Sequence, residues 1–321
     1  MVWNVLVPSH IGDAGPKSIE DIAEFTINSE DNKLDKNILK EIDAILLGGP
    51  TQVDSKFLDL AENLKVISKY GVGLDNVDIE AATEHNVIVA NSPGSNALSV
   101  AEHAMALLLA VRRNVKTANQ DLENGEWMRN KYISNELRGD VLGLLGCGNI
   151  ASEVSRFAQA FGLQCITYDP YLTEYQIPPG VGRVDTKMEL FEKADIISIH
   201  IPLNDETRHS VSEKELRALS EDGYLINTAR GGIIDEKALI EFLEAGKIRG
   251  AGLDVFEVEP VSADNRLLEL ENVVATPHIG GATFESDQEK GIQAANNIRT
   301  VYNGNIPKST VNIDGLFSTN L

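Results

Sequence analysis

Short runs rich in Val, Ile and Leu alternate along this chain with amphipathic stretches of helical length. In the first hundred residues the runs are Asn4–Pro8, Ala44–Gly48, Lys65–Tyr70 and Val87–Asn91. Strands joined in this way by helices predict an open parallel α/β sheet. A second alternation begins at Asp140, with strands expected at Val141–Leu145, Gln164–Tyr168, Asp195–His200, Gly223–Asn227, Gly250–Val255 and Asn272–Thr276. Six strands suit a second, doubly wound sheet. Between the two alternations the apolar period of Ser99–Val115 predicts a long helix, with Ser99 and Glu102 spaced as a capping box at its start. A last helix is expected over Glu285–Tyr302, followed by a polar tail without strands. The second sheet is already complete, so this helix is expected to return to the first one. The expected organisation is a discontinuous domain of residues 1–96 plus 286–321, a domain of residues 97–285, and a ligand cleft between them.

The most informative local sequence is Gly146-Cys147-Gly148-Asn149-Ile150-Ala151. It sits between the apolar run Val141–Leu145 and an amphipathic helical stretch, Ala151–Phe161, and Asp169 follows Gly148 by 21 residues after the next apolar run. A phosphate can approach backbone amides at a helix N-terminus where side chains are absent, and an acid at that distance can accept hydrogen bonds from a ribose. The six residues alone could be an ordinary glycine turn. The flanking strand, helix and acid make it a dinucleotide site.

Composition narrows the partners. With 49 acidic against 28 basic residues the formal charge is −21, which argues against a nucleic-acid or anionic-membrane surface as the main partner. The same field repels an anionic substrate at long range, but salt screens it within about 8 Å, so local residues decide binding. A salt-adapted source would also give such a charge. The length of 321 residues suits two domains, and two cysteines, Cys147 and Cys165, give no disulfide framework and point to a reducing compartment. MVWNVLVPSH lacks a basic region followed by a long apolar one, and no window reaches about 18 uninterrupted apolar residues. A cytoplasmic location is expected, with no membrane segment and no metal.

Three polar residues follow late predicted strands: Arg230 in NTARGG, Glu259 in DVFEVEP and His278 in TPHIGG. Ligands of open α/β sheets lie outside the carboxyl ends of the strands, so these groups can converge on one reaction centre. For hydride transfer to a carbonyl, Arg230 offers a planar fork for a carboxylate and can polarise the ketone. His278 can protonate the developing alkoxide, and Glu259 can fix the imidazole tautomer and stabilise its charged form. Asp254 could hold a carboxamide. Each has an ordinary alternative as a surface charge or structural side chain, although the glycine pairs beside Arg230 and His278 favour close approach to a ligand.

Seven ordered blocks resemble the D-isomer-specific 2-hydroxyacid dehydrogenases: KYGVGLDNVD at Lys69, NSPGSNALSVAEHAMALLL at Asn91, LGCGNIA at Leu145, HIPLNDET at His200, INTARGGIID at Ile226, GLDVFEVEP at Gly252 and TPHIGGAT at Thr276. The resemblance covers nearly the whole chain. It implies a Rossmann NAD-binding domain with a smaller flavodoxin-like substrate domain, and Arg230, Glu259 and His278 as the catalytic set. It also implies cofactor contacts at Gly146, Gly148, Asn149, Ile150, Asp169, Pro202, Thr207, Thr228, Ala229, Asp254 and Gly280, with Ser99 and Val100 on the nicotinamide side. The substrate carboxylate is expected on the amides around Val72 and Gly73. Ala151 stands where the family commonly has a third glycine, a substitution that helix-to-strand packing tolerates.

NAD is the expected cofactor, because a 2′-phosphate would meet Asp169 followed by Pro170, Tyr171 and Leu172, none of them cationic. Lys69 could pair with a second anion on the substrate or be a solvated lysine at a strand end. KYGVGLDNVD resembles the phosphoglycerate dehydrogenase branch, which makes 3-phospho-D-glycerate the first expected substrate. The alternatives are glyoxylate or hydroxypyruvate, D-lactate, and sulfonated or phosphonated hydroxy acids. The chain stops at Leu321 with no appended regulatory domain, so feedback through one is not expected. The family also contains NADH-sensing corepressors, a rival of another class that the intact set argues against. The apolar run Ala106–Val111 and Trp127 suggest a homodimer through residues 99–138, with burial within the hinge as the alternative, and the resemblance implies the dimer contact.

Overall fold

Both alternations fold into parallel sheets. The structure, a computed structural model, describes residues 2–9, 11–27 and 35–316 and divides into two compact units, Met1–Asn96 with Ala282–Leu321, and Ala97–Gly281. In the first unit β1 (Trp3–Val7), β2 (Ala23–Ile27), β3 (Ala44–Leu47), β4 (Val66–Lys69) and β5 (Ile88–Ala90) pair in the order β2-β1-β3-β4-β5. In the second, β6 (Val141–Leu145), β7 (Gln164–Tyr168), β8 (Val181–Arg183), β9 (Ile196–Ile199), β10 (Tyr224–Asn227), β11 (Gly250–Leu253) and β12 (Val273–Ala275) pair in the order β12-β11-β10-β9-β6-β7-β8. The first strand of each unit is therefore internal, and the strand order reverses beside it. That reversal opens a crevice at the carboxyl ends of the strands, between β6 and β9 in the second unit.

The central strands β9, β10 and β11 are buried throughout because both faces are covered. Ile197, Ile199 and Leu225 enter one cluster with Phe191, Leu216 and Phe242, while Ile196, Tyr224 and Ile226 enter the other with Leu107, Leu108 and Val154. Period-2 alternation sends neighbours to opposite faces, and helices on both sides bury them.

Two strands escaped the sequence reading, and both are edges. β2 has one buried residue and leaves Ile27 68% exposed, and β8 is only three residues long with two of them exposed. Half-exposed edge strands lack the continuous apolar run that marks their neighbours.

The expected helix Ser99–Val115 starts two residues earlier and stops short of Val115, where a second helix begins. The first runs Ala97–Arg112, Asn114 takes φ +53°, and a second continues Val115–Glu123. Ser99 lies inside the first turn, so the expected capping box is not the start of this helix. The last long helix, Phe284–Tyr302, is capped by Thr283 accepting from Ser286 N–H, and places Ala294, Ala295 and Ile298 against the first sheet. Ser68 Oγ in β4 donates to the Ala294 carbonyl at 2.8 Å, tying helix to sheet.

The segment after it is more than a polar tail. Thr310 bridges Ala90 antiparallel, the Asn312 side chain accepts from Val89 N–H at 3.0 Å, and a short helix spans Ile313–Leu316. Residues 317–321 of the predicted tail lie outside the described residues. Both cysteines are buried and unpaired, and burial raises the Cys165 thiol to about 11, leaving it little thiolate character. Among the described residues no helix is long and apolar enough to cross a membrane.

Candidate active site

The glycine turn follows β6 directly. Gly146 has φ +87°, and a Cβ there would come within 2.7 Å of Ile201 and 3.0 Å of the His200 carbonyl. Gly148 precedes the helix Asn149–Ala160 with no side-chain cap, and a Cβ on it would meet nothing within 4 Å. The first glycine is required by packing and backbone, whereas the second leaves the helix N-terminus uncovered. Ala151, fully buried against the sheet, performs the close packing expected of the third position. Asn149 is exposed and Ile150 half-buried at the start of the same helix.

Asp169 follows β7. Its two oxygens accept from Cys147 N–H and Tyr171 N–H, each at 3.0 Å, so the carboxylate is fixed beside the glycine turn with acceptor capacity remaining. Arg183 in β8 donates to the Leu172 carbonyl at 2.8 Å, which brings a cation to a loop whose own sequence has none.

The loop after β9 carries Pro202 and Thr207. The Thr207 hydroxyl donates to the Pro202 carbonyl at 2.7 Å and accepts from Asn204 N–H at 2.8 Å. His200 at the strand end bonds through Nε2 to Ser198 Oγ at 2.8 Å, and burial pushes its pKa down to about 4, which keeps it neutral at physiological pH.

After β10, Asn227 shapes the next loop by accepting from Ala229 N–H at 3.0 Å and donating to the Arg230 carbonyl at 2.9 Å. Thr228 Oγ1 is buried and has no hydrogen-bond partner. A buried hydroxyl left unpaired costs stability unless a ligand satisfies it. Together with the open helix N-terminus it shows that these residues fit a dinucleotide.

The three polar groups singled out at the sheet's carboxyl end come together. His278 Nδ1 lies 2.7 Å from Glu259 Oε2, and Glu259 Oε1 accepts from Phe256 N–H at 3.0 Å. Arg230, whose guanidinium donates to the Ala229 carbonyl at 2.7 Å, acts electrostatically on both. The hydrogen bond that His278 donates to Glu259 raises the His278 pKa and outweighs the opposing effect of burial. Burial alone would raise Glu259, but hydrogen bonds from His278 and Phe256 N–H overcome it and hold the carboxyl below its usual range. Glu259 thus favours the charged form of the imidazole, and the two side chains are 47% and 36% exposed. An Nδ1–H bound to Glu259 leaves Nε2 for proton exchange with a reacting oxygen.

Asp254, expected to hold a carboxamide, is 1% exposed and accepts from Thr276 Oγ1 at 2.6 Å, Ile279 N–H at 2.9 Å and Gly280 N–H at 2.7 Å. Burial would raise its pKa, yet hydrogen bonds from His103, Thr276 and these amides lower it. A Cβ on Gly280 would stand 2.9 Å from its Oδ2 and 3.7 Å from Val100. Val100 is buried and Ser99 half-buried in the helix Ala97–Arg112.

His103, also on that helix, was not singled out from the sequence. Its signal is a polar residue inside the apolar stripe of Val100, Ala104, Leu107 and Val111.

In the first unit, Lys69 ends β4 and its Nζ donates to Asn76 Oδ1 at 2.6 Å. The loop beyond is shaped by Asn91 Nδ2 donating to the Val72 carbonyl and Ser92 N–H to the Gly71 carbonyl, both at 2.9 Å. Val72 is 38% exposed and Gly73 half-buried.

Strand order, glycine turn and unpaired threonine define a dinucleotide-binding α/β protein with a histidine–carboxylate pair at the carboxyl end of the same sheet. Residues 105–280 match the model described as D-isomer specific 2-hydroxyacid dehydrogenase, NAD binding domain, and the chain belongs to that family. A D-3-phosphoglycerate dehydrogenase of Methanocaldococcus jannaschii is 40% identical over 316 residues, 97% of this chain and 60% of that one. A hydroxypyruvate reductase of Thermotoga maritima is 42% identical over 279 residues, 86% of this chain and 90% of that one. Among solved structures, an NADPH-dependent glyoxylate/hydroxypyruvate reductase from Sinorhizobium meliloti has a TM-score of 0.86 at 28% identity, covering 96% of this chain and 97% of that one. The chain spans between 50% and 60% of the length of the phosphoglycerate dehydrogenase relatives it matches.

Proposed function

We propose that the protein is an NAD-dependent dehydrogenase interconverting a D-2-hydroxy acid and its 2-oxo acid, with 3-phospho-D-glycerate as the substrate. The observation that carries this reading is the His278–Glu259 pair with Arg230 on the sheet whose glycine turn and Thr228 fit a dinucleotide. A bound nicotinamide supplies the hydride in reduction and accepts it in oxidation. Arg230 binds the carboxylate and polarises the ketone. His278 Nε2 donates a proton to the alkoxide oxygen as the carbonyl is reduced and takes it back in the reverse direction. Glu259 remains ionised and stabilises the charged imidazole.

Phosphoglycerate dehydrogenases among the relatives support the substrate, as does Lys69 as the partner of a second anion. A hydroxypyruvate or glyoxylate substrate is the second reading, favoured by the Thermotoga relative that this chain matches over 90% of its length. Asp169 supports NAD over NADP by repelling a 2′-phosphate, while Arg183 nearby is the group that could oppose this.

One assay tests all three points: NADH and NADPH oxidation with 3-phosphohydroxypyruvate, hydroxypyruvate, glyoxylate, pyruvate and sulfopyruvate, on wild type and Lys69→Ala. A preference for NADH and for a doubly anionic substrate, with KM for that substrate raised about tenfold or more in the variant, is expected. Activity indifferent to Lys69 removes the phosphate reading. A preference for NADPH removes the Asp169 argument, and no turnover at all moves the NADH-sensing binding protein to the front.

The outer side of the helices Ala97–Arg112 and Val115–Glu123, with the segment that follows them, supports a homodimer. Leu98, Val115, Leu122, Trp127 and Ile133 are each at least half exposed, more apolar surface than one stretch of a soluble monomer ordinarily shows. Light scattering at micromolar concentration should give twice the chain mass, and the mass of a single chain would refute the dimer.

A further inference from the structure

The turn that carries His278 hangs from one buried carboxylate. Asp254 accepts His278 N–H on its backbone carbonyl at 2.8 Å, and its side chain accepts Ile279 N–H, Gly280 N–H and the Thr276 hydroxyl. His278 itself has φ +54°, a left-handed conformation that residues with a Cβ adopt rarely and that surrounding contacts must hold. A further donor reaches this carboxylate from outside the turn. His103 Nε2, on the helix Ala97–Arg112, lies 3.2 Å from Asp254 Oδ1 and 2.8 Å from Thr276 Oγ1. The Thr276 hydroxyl hydrogen is committed to Asp254, so Nε2 is the protonated nitrogen and shares its hydrogen between both oxygens.

We propose that His103 is a positioning residue for the catalytic turn: its Nε2–H clamps the Asp254 carboxylate that holds Thr276, Ile279 and Gly280 on either side of His278, and so ties the helix Ala97–Arg112 to the acid–base group. No step of the proposed reaction uses His103 itself. The second unit begins at Ala97 and ends at Gly281, so its first helix and its last residues are fastened to one group. This inference rests on His278 as the acid–base residue. The charged groups acting on His278 are Glu259, Arg230 and Asp254, with Glu259 the strongest. Loss of the clamp loosens the turn, weakens the His278–Glu259 hydrogen bond and lowers the proton affinity of His278.

The test is NMR titration of ring-labelled histidines. The chain has six, and His278→Ala assigns the signal. His103→Ala, His103→Gln and Thr276→Val are compared with wild type for the His278 midpoint, NADH binding and steady-state kinetics. The midpoint is expected to fall by about half a unit or more in His103→Ala and Thr276→Val, roughly a threefold change in protonation equilibrium. Turnover falls about tenfold while KM for the oxo acid changes less than about threefold, as expected for a misplaced acid–base group. His103→Gln, which retains an N–H donor, recovers most of both.

An unchanged midpoint in folded His103→Ala overturns the proposal. So does a Gln variant no better than Ala, which would reduce His103 to packing. Should His103→Ala fail to fold, His103→Leu, which keeps the bulk but has no N–H to donate to Asp254, decides in its place, and an unchanged midpoint there is equally fatal. Absence of turnover in wild type would sink the dehydrogenase reading, while the titration would still decide whether His103 positions His278.

Discussion

His278→Ala should lower turnover on the order of 10²–10⁴-fold while leaving NADH affinity nearly intact, because the variant removes the proton donor and no group placed on the dinucleotide. The pH dependence has a definite sign. Reduction needs His278 protonated, and its pKa lies above the ordinary histidine value because of the Glu259 hydrogen bond. Reduction is therefore full at lower pH and declines only as pH rises through that elevated pKa, whereas oxidation rises over the same interval. Glu259→Gln removes the main support of the charged form, so the decline in reduction should move to lower pH. Single-turnover rates measured in both directions across pH 5–10 check this. Identical profiles in the two directions, or a Gln variant whose limb stays in place, would contradict the roles assigned to the pair.

Gly231→Ala should be among the most damaging single-methyl changes in the protein. A Cβ at this position would lie 1.8 Å from the Phe256 carbonyl carbon and 2.4 Å from Glu257 N. Those are backbone atoms, so no rotamer change relieves the clash. The loops carrying Arg230 and Glu259 would have to separate, at a cost of about 3 kcal/mol or more. Thermal unfolding should show a large fall in Tm, and any folded fraction should have lost turnover. Gly148→Ala is the informative contrast. A Cβ there meets nothing within 4 Å, and its φ of −78° suits any residue. Tm should stay close to wild type while NADH binding weakens, because the methyl group would stand at the open helix N-terminus. Equal stability losses in the two variants would show that the close contact at Gly231 has been misjudged.

The two glycines mark how far the sequence could be read. Both sit in motifs that drew attention, and sequence alone gave each the same reason, close approach to a ligand. The contact surroundings separate them: Gly231 stands against the Phe256–Glu257 backbone, and Gly148 faces open space at a helix N-terminus. The edge strands β2 and β8 were illegible for a different reason. A strand buried on one side only, or scarcely at all, has no continuous apolar run, and hydrogen bonding to its neighbour alone makes it a strand. At Ser99 the local spacing suggested a helix start, but the helix begins two residues earlier at Ala97.

By itself the sequence determined the alternation of strands and helices, the glycine turn with its acid, and the residue types that hydride transfer to a carbonyl requires. These are short-range properties, carried by apolar period, by the absence of a Cβ and by side-chain chemistry. Tertiary structure alone decided which groups stand within hydrogen-bond reach. It placed His278 on Glu259 across 19 residues, left Thr228 unpaired at the carboxyl end of β10, and brought His103 to Asp254 from 151 residues away. A hydrogen bond is a matter of ångströms between atoms, and only the packing of the helix Ala97–Arg112 against β10, β11 and β12 sets that distance.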